Sequence, residues 1–453
     1  MLEIIKSKVI AIIVKKNQRT EKILKNILMS FGVKGGSILV SLILVPLTID
    51  YVSPIQYGIW LTISSIVGWM NFFDIGLGNG LRNSLASSIS NGNFTEGKKY
   101  VSTTYAALLA ISSLLLLVFW ISAPLVNWNR LLNVPSDVND NFTFVILIVL
   151  SSFCVQFVVQ LINTVLTAVH EPAVAAFISF VGQVGSLIAI FFLKQFIPGT
   201  LMLLASILTI IPIITLVLAS IYLYGTRLKY LAPSYKGIEV KYVRKIMGTG
   251  GIFFIIQIGA IILFQTNNII ITNILGPQYV TEFNVSYKLF SVVTMIFTII
   301  ITPYWSAFTD AYAKQDFVWM KKNMTTIRRL SAYLTILLFL VLLLSPWLYK
   351  LWLGDAVKIS FALSSAMALY STALIWQTAH VYILNGLSKM RLQLIIVLVS
   401  SMINIPLAIQ FGKLYGLVGI VSSNAVFSCI MSLVFYVQVE KILNQQAKGI
   451  WGK

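Results

Sequence analysis

Residues 200–224 read TLMLLASILTIIPIITLVLASIYLY, a run without a single charged side chain. A helix crosses the ~30 Å hydrocarbon core of a bilayer with about 20 apolar residues, so this run is long enough to span a membrane. Backbone polar groups in lipid must be bonded within their own segment, which favours a helix. Similar runs recur along the chain. We place twelve predicted spans at 27–50, 57–79, 101–126, 142–168, 173–193, 200–224, 247–273, 280–304, 331–350, 360–385, 392–411 and 415–438.

The composition agrees with a membrane protein. Of the 453 residues, 58% are hydrophobic and only 10% are charged. A water-soluble domain of this length needs a larger charged surface. The sequence therefore predicts an all-α polytopic membrane protein with about twelve transmembrane helices.

The positive charge falls almost entirely on one side of these spans. With the N-terminus inside, 26 of the 33 lysines and arginines lie in inner segments. Cytoplasmic loops carry an excess of these residues, so both termini are predicted to be cytoplasmic. The net charge of +19 is thus a topology signal, and no nucleic-acid partner is expected. The five basic residues on the outer side are Arg130, Lys194, Lys350, Lys358 and Lys413.

A basic connection at 225–246 divides the chain into two predicted six-helix halves, 27–224 and 247–438. A basic arm at 1–26, expected to lie on the inner leaflet, and a cytoplasmic tail at 439–453 flank them. Duplicated bundles of this kind commonly form transporters with the substrate path at the repeat interface. A weak repeat with a constant offset pairs Pro54 with Pro277, Phe94 with Phe317, Lys98 with Lys321, Lys99 with Lys322, Ser122 with Ser345, and Asn93 with Asp316.

Catalytic motifs are missing from the sequence. It has two histidines and two cysteines, and no Walker A, HExxH or GxSxG motif in a usable context. The longest outer connection, 127–141, is short for a membrane glycosyltransferase or polymerase, which commonly carries catalytic acids or arginines in long outer loops. We therefore predict that the protein is not an enzyme and holds no metal or resident cofactor.

Ionisable side chains inside predicted spans are the candidate functional residues. A charge in the bilayer costs roughly 2.5–3.5 kcal/mol even on the lenient insertion scale, so it needs a partner or a wet cavity. Lys34 and Asp74 lie at similar depth, and either they form a structural bridge or Lys34 is an anion site. Lys288 has only Glu282 nearby, on the opposite side of its helix, which favours a cavity-facing role. His380 is either a hydrogen-bonded core histidine or a proton relay.

The densest motif is NFFDIGLGNGLRN at 71–83. Its alternating glycines permit close backbone approach. Arg82 emerges at the inner surface, where its planar guanidinium suits a phosphate group. The structural alternative is a glycine-weakened helix end with a snorkelling arginine.

Together with Tyr57-Gly58-Ile59-Trp60, this motif resembles the Wzx-type O-antigen and polysaccharide flippases of the multidrug/oligosaccharidyl-lipid/polysaccharide (MOP) exporter superfamily. The similarity extends over the whole chain in length, span count and two-half arrangement. It implies a V-shaped, MATE-like pair of bundles around a cationic cavity. It also implies translocation of undecaprenyl-diphosphate-linked oligosaccharide to the outer leaflet of the cell inner membrane, coupled to H+ or Na+, with a polysaccharide polymerase complex as a partner.

On this reading we expect Lys34, Arg82 and Lys288 to bind the diphosphate, Asp74 to act as a coupling or ion-pair residue, and His380 to relay a proton. The main alternative is a MATE-like, cation-coupled drug exporter, which normally requires acids in its cavity. A membrane glycosyltransferase or polymerase is disfavoured by the short outer loops. A peptidoglycan-precursor flippase usually has extra helices, for which the chain has no room.

Overall fold

A computed structural model of the protein describes residues 18–70, 77–135, 141–169, 171–246, 266–387 and 389–452. Within these ranges the regular structure is helical, and residues 240–246 and 266–274 are also helical. The main helices are α1 Gln18–Tyr51, α2 Pro54–Met70, α3 Leu77–Ser90, α4 Phe94–Ser122, α5 Phe142–Val159, α6 Leu161–Ala168, α7 Pro172–Leu193, α8 Leu201–Gly225, α9 Pro277–Ala313, α10 Phe317–Leu353, α11 Phe361–Gly386 and α12 Arg391–Leu443.

Eight described segments are long and apolar enough to cross a membrane, which confirms a multi-pass membrane protein. The last of them, α12, contains two predicted spans, and its backbone is non-helical at Gly416. α11 is enclosed by its neighbours and buries polar residues such as Ser371 and His380. Most of the predicted span 247–273 lies outside the described residues.

Several helices extend well beyond the predicted spans. α9 and α10 have 37 residues each. At 1.5 Å per residue each is about 55 Å long, nearly twice the hydrocarbon thickness. The connections predicted at 80–100 and 305–330 are therefore largely helical, because hydropathy marks only the lipid-facing part of a helix.

The same capped turn precedes α4 in the first half and α10 in the second. The Asn93 side chain accepts a hydrogen bond from the backbone N–H three residues later at 3.1 Å, and Asp316 does the same at 2.9 Å. A residue with left-handed backbone comes before each cap, Gly92 with φ 70° and Gln315 with φ 56°. The two turns are separated by the offset of the sequence repeat, so the repeat is visible as local geometry. We call the end of the molecule that carries these turns the basic end, and the opposite end the far end.

The connection 225–246 packs onto the basic end of the first half. Its Leu231 and Ile246 are fully buried, in the same apolar cluster as Leu81 and Leu85 of α3. Gly80 allows α3 to contact the end of the connection closely, because a Cβ at this position would overlap the carbonyl oxygen of Ile246. The glycine-rich motif thus serves a packing contact with the connection.

The two halves meet at the far end, where α2 packs along α9. A second contact joins α1 to α10. Pro46 has no N–H to donate to the carbonyl of Leu42, which therefore lacks its usual helical partner. The indole N–H of Trp352 donates to that carbonyl at 2.8 Å. The carbonyl group that Pro46 leaves without a helical partner in one half thus accepts a hydrogen bond from the other half.

Candidate functional site

A cavity of about 150 Å³ lies between the two halves. Three helices form it: α1 and α7 from the first half and α9 from the second. It is lined by Ser37, Ile38, Ser41 and Leu42 of α1, Gln183 of α7, and Lys288, Ser291, Val292 and Met295 of α9.

Lys288 is the cation of this cavity. It lies eleven residues after Pro277, about 16 Å from the far end of α9 at the helical rise. Its side chain is half-buried, and among the described residues no carboxylate forms an ion pair with it. Lys288 therefore lies on a cavity wall without an ion-paired acid among the described residues, and its role in binding stays a prediction.

Lys34 lies on the same face of α1 as the cavity serines. Ser37 and Ser41 follow it by three and seven residues, the spacing of one helical face. Lys34 is exposed and sits one turn closer to the basic end than Ser37. The predicted partner of Lys34, Asp74, lies outside the described residues.

The lining favours an anionic ligand with hydroxyl groups. A lysine ammonium offers three donors and no acceptor, and serine hydroxyls and a glutamine amide both donate and accept. The lining residues include Lys288 and Gln183 but no aspartate or glutamate. An organic cation would meet like charge here, whereas a phosphate would find donors on both sides.

Arg82 is not among the residues that line this cavity. It is exposed on α3 at the basic end, while Leu77, Leu81 and Leu85 of the same helix pack into the first half. Of the three predicted cations, only Lys288 lines the cavity, while Lys34 and Arg82 are exposed and are not among its lining residues.

His380 is fully buried in the second half and does not line the cavity. Its Nδ1 lies 2.7 Å from the backbone carbonyl of Trp376, and its ring meets Tyr436 edge-on at 5.6 Å. Nε2 is buried and has no hydrogen-bond partner among the described residues. The core-histidine interpretation is supported by the first contact, and the relay role stays a prediction.

Sequence reasoning missed the neutral polar residues of the site. Ser37, Ser41, Gln183 and Ser291 surround the lysine, yet serine and glutamine are common enough in membrane helices to attract no notice. Their spacing was a usable signal, since Ser291 follows Lys288 by three residues as Ser37 follows Lys34.

Comparisons with known proteins show the family of the chain. A family model described as "Polysaccharide biosynthesis protein" matches residues 23–309, more than half of the chain. The chain belongs to this polysaccharide biosynthesis family. Among curated proteins, none matches the sequence.

Solved structures share the fold of this family member. The inward-facing structure of a MATE-family multidrug resistance transporter of the MOP superfamily is 11% identical, covers 90% of this chain and 95% of its own, and has a TM-score of 0.76. A MATE transporter in complex with MaL6 is 12% identical, with 94% and 97% coverage and a TM-score of 0.64. A MOP superfamily transporter from Pyrococcus furiosus is 13% identical, with 94% and 95% coverage and a TM-score of 0.62.

These matches confirm the predicted fold class, an all-helical membrane protein of the MATE/MOP type. The chain is thus a member of the polysaccharide biosynthesis family that has the fold of MATE transporters of the MOP superfamily.

Proposed function

We propose that this transporter flips a lipid-linked oligosaccharide, with an undecaprenyl-diphosphate carrier, from the inner to the outer leaflet of the cytoplasmic membrane. The observation that supports this most is Lys288, a half-buried cation without an acid partner among the described residues, in a cavity between the halves. The family match to polysaccharide biosynthesis supports a glycan-carrying substrate.

The diphosphate is the part of the substrate that most needs the protein. Moving an ionised group into an apolar medium costs tens of kcal/mol by Born estimates. Lys34 and Lys288 reduce this cost at two depths, because Lys34 lies about 25 Å and Lys288 about 16 Å from the far ends of their helices. The diphosphate would first meet Arg82 at the basic end, then Lys34, and finally Lys288.

The size of the cavity limits what it holds in this conformation. At about 30 Å³ per water molecule, 150 Å³ corresponds to roughly five waters. A diphosphate fits this volume, and several sugar rings do not. The oligosaccharide would therefore pass only when the halves move relative to each other, while the polyprenyl tail stays in lipid.

The charge bias supports a cytoplasmic location for the basic end and for both termini. The location we propose is the cell inner membrane, where the flipped product would reach a polysaccharide polymerase complex.

Coupling to a H+ or Na+ gradient is part of the proposal, with His380 as the proton carrier. Its Nδ1 faces the Trp376 carbonyl, whereas Nε2 is buried without a partner among the described residues. Arg328 lies 4.4 Å from the ring centre of Tyr436 and 2.6 Å from Glu440, on helices packed beside His380. Replacing His380 with glutamine should remove the response of transport to a pH gradient without changing the protein level.

The rival function is drug export, because MATE transporters share the fold. A cavity with a lysine and no acid among its lining residues disfavours organic cations. In the Pyrococcus furiosus transporter, the reverse polarity of the binding pocket suggests a different function. This supports the idea that the fold serves ligands of either charge.

Purified protein in proteoliposomes tests the two functions directly. Labelled lipid-linked oligosaccharide should become accessible to an impermeant enzyme on the far leaflet at least tenfold faster than in protein-free vesicles. A fluorescent organic cation should show no protein-dependent movement. Transport of the cation alone would overturn the proposal.

A further inference from the structure

A second and larger cavity, the far-end groove, lies between the halves at the far end. Its volume is about 590 Å³, within the range of roughly 300–1,000 Å³ that is typical of ligand sites. Its walls include Ile43 and Leu47 of α1, Leu187 and Phe191 of α7, and Trp352 of α10. We propose that the groove binds a phospholipid of the far-end leaflet, one whose headgroup carries both a primary ammonium and a phosphate.

The far-end groove opens towards lipid. Ile43, Ile188 and Phe191 line it and are each about half exposed, at 55%, 48% and 53%. Exposed apolar surface of this kind marks contact with a membrane or a ligand. Asp50 alone is charged among the described lining residues, and the indole N–H of Trp352 is already bonded to the α1 backbone. The body of the groove therefore suits a hydrocarbon chain.

The depth of the groove matches the chain region of one leaflet. On α1 it runs from Ile43 to Asp50, seven residues or about 10 Å of helix, and stops one residue before that helix ends. On α7 it runs from Leu187 to Phe191, two residues before the end of the helix. Half of a hydrocarbon core is ~15 Å thick. An acyl chain whose headgroup lies at the far-end surface thus runs along the groove towards the midplane.

An acid and a base lie at the surface end of the groove. Asp50 lines it, and the ammonium of Lys194, the residue that follows α7, pairs with the Asp50 carboxylate. Close packing holds the two side chains together, because a Cβ at Gly199 would overlap the carbonyl oxygen of Tyr51. Both charged groups remain accessible, with 64% of the Asp50 side chain and 40% of the Lys194 side chain exposed. The rim therefore offers both signs of charge to a ligand.

This pair complements a headgroup with an ammonium and a phosphate. A carboxylate has about four acceptor sites and a lysine ammonium has three donors, so the contact between Asp50 and Lys194 leaves both able to bind again. The lipid ammonium donates hydrogen bonds to Asp50, and the lipid phosphate accepts them from Lys194. A trimethylammonium headgroup has no N–H to donate, and a headgroup with only negative charge is repelled by Asp50. A lipid of the phosphatidylethanolamine type meets both conditions.

The rim disfavours the carrier of the proposed substrate as the occupant. A diphosphate brings no cation for Asp50 and competes with that carboxylate for Lys194. With the diphosphate at Lys288, about 16 Å from the far end, the prenyl chain would have to run outward through the groove, against the lipid chains of that leaflet. A phospholipid places its headgroup at the rim and its chain in the groove in its ordinary orientation.

Native mass spectrometry of the purified full-length protein tests the headgroup. Delipidated protein is titrated with phosphatidylethanolamine, phosphatidylcholine or phosphatidylglycerol that carry the same chains. The first phosphatidylethanolamine should bind at least fivefold more tightly than the other lipids. Asp50→Asn should abolish this preference, and Asp50→Glu should keep it. The matched control is Glu171→Gln, which breaks a partly exposed pair with Arg227 at the basic end and should leave the preference unchanged.

Equal binding of the three lipids to the parent protein, or an unchanged preference in Asp50→Asn, would overturn the proposal. Neither this measurement nor the next involves transport, so their results are independent of the proposed function.

Photolabelling locates the chain. Phosphatidylethanolamine with a photoreactive group in its acyl chain should label residues 43–47 and 187–191 of the parent protein. Leu187→Trp, which fills the groove, should reduce this labelling at least fivefold, and Leu114→Trp on the exposed face of α4 should not. Lys194→Gln, at the surface, covers the case in which Leu187→Trp does not fold, and should also reduce labelling.

Labelling that stays at the parent level in Lys194→Gln and in folded Leu187→Trp would refute a site in the groove. Displacement of the probe by undecaprenyl phosphate at a lower concentration than by unlabelled phosphatidylethanolamine would assign the groove to the carrier and would also refute the proposal.

Discussion

Lysines occur in two contrasting settings in this molecule. At the basic end, Glu239 lies between Lys99 and Lys241 at 2.6 Å from each. In the cavity, Lys288 has serines and a glutamine around it and no ion pair with a described residue. Water and acids compensate the first set, whereas an uncompensated charge within the membrane is costly. The difference indicates that acids at the basic end hold the lysines around them, whereas Lys288 is free for the ligand role that we propose.

Removing the cavity cation should have the largest effect. Lys288→Ala should reduce flipping at least tenfold at equal protein amounts, a loss of about 1.4 kcal/mol or more in transition-state stabilisation. Lys288→Arg, which keeps the charge, should retain most of the rate. The matched control is Lys358→Ala, an exposed lysine beyond α10. Rates in proteoliposomes check this, and a Lys288→Ala rate equal to that of the control would contradict the role of the cavity.

Lys34 should matter less, because it is exposed and is not among the residues that line the cavity. Solvent and salt weaken the attraction of an exposed charge, so Lys34→Ala should lower flipping by about two- to fivefold at low salt. The loss should shrink as salt is raised, unlike that of Lys288→Ala. Flipping measured across a salt series would show this, and a salt-independent loss at Lys34 would place it deeper than the structure does.

A substitution that disturbs packing at the basic end should lower the stability of the protein more than its transport rate. Gly80→Ala would force α3 away from Ile246, and overpacking of this kind typically costs about 1–3 kcal/mol. Thermal unfolding in detergent should show a lower melting temperature than for Gly225→Ala, the open-space control. Equal melting temperatures for Gly80→Ala and Gly225→Ala would mean that the contact between α3 and the connection 225–246 adds nothing to stability.

Removing the carboxylate of Glu239 at the basic end should have the smallest effect of these changes. Hydrogen bonds from Lys241 and then Lys99 lower the pKa of the Glu239 carboxyl below its ordinary value of 4.5. A lowered carboxyl pKa adds stability above pH 4.5, which is lost as the pH falls through the folded-state pKa. Glu239→Gln should therefore melt slightly below the parent at pH 7. The two curves should converge in acid or high salt, and a pH-independent gap would refute the ion-pair explanation.

The spans, the charge bias and the two-half repeat were accessible from the sequence because each is a local property. Hydropathy over about 20 residues identifies a membrane helix wherever its neighbours lie. The constant offset of the repeat likewise located the capped turns at Asn93 and Asp316. The cost of an intramembrane charge singled out Lys288 before any partner was known.

Tertiary structure alone showed which residues meet. Gln183 and Ser37 join Lys288 in the cavity, and Thr62 finds Thr272 in the other half of the chain. Apart from the three-residue spacing that Ser37 and Ser291 share with their lysines, nothing in a window of sequence distinguishes these polar residues from others in membrane helices. Their partners depend on how the halves approach each other, and that approach depends on steric features such as Gly58 against Pro277. Local composition determines which segments enter the bilayer. Packing between segments that are distant in the sequence determines which polar and charged side chains come together.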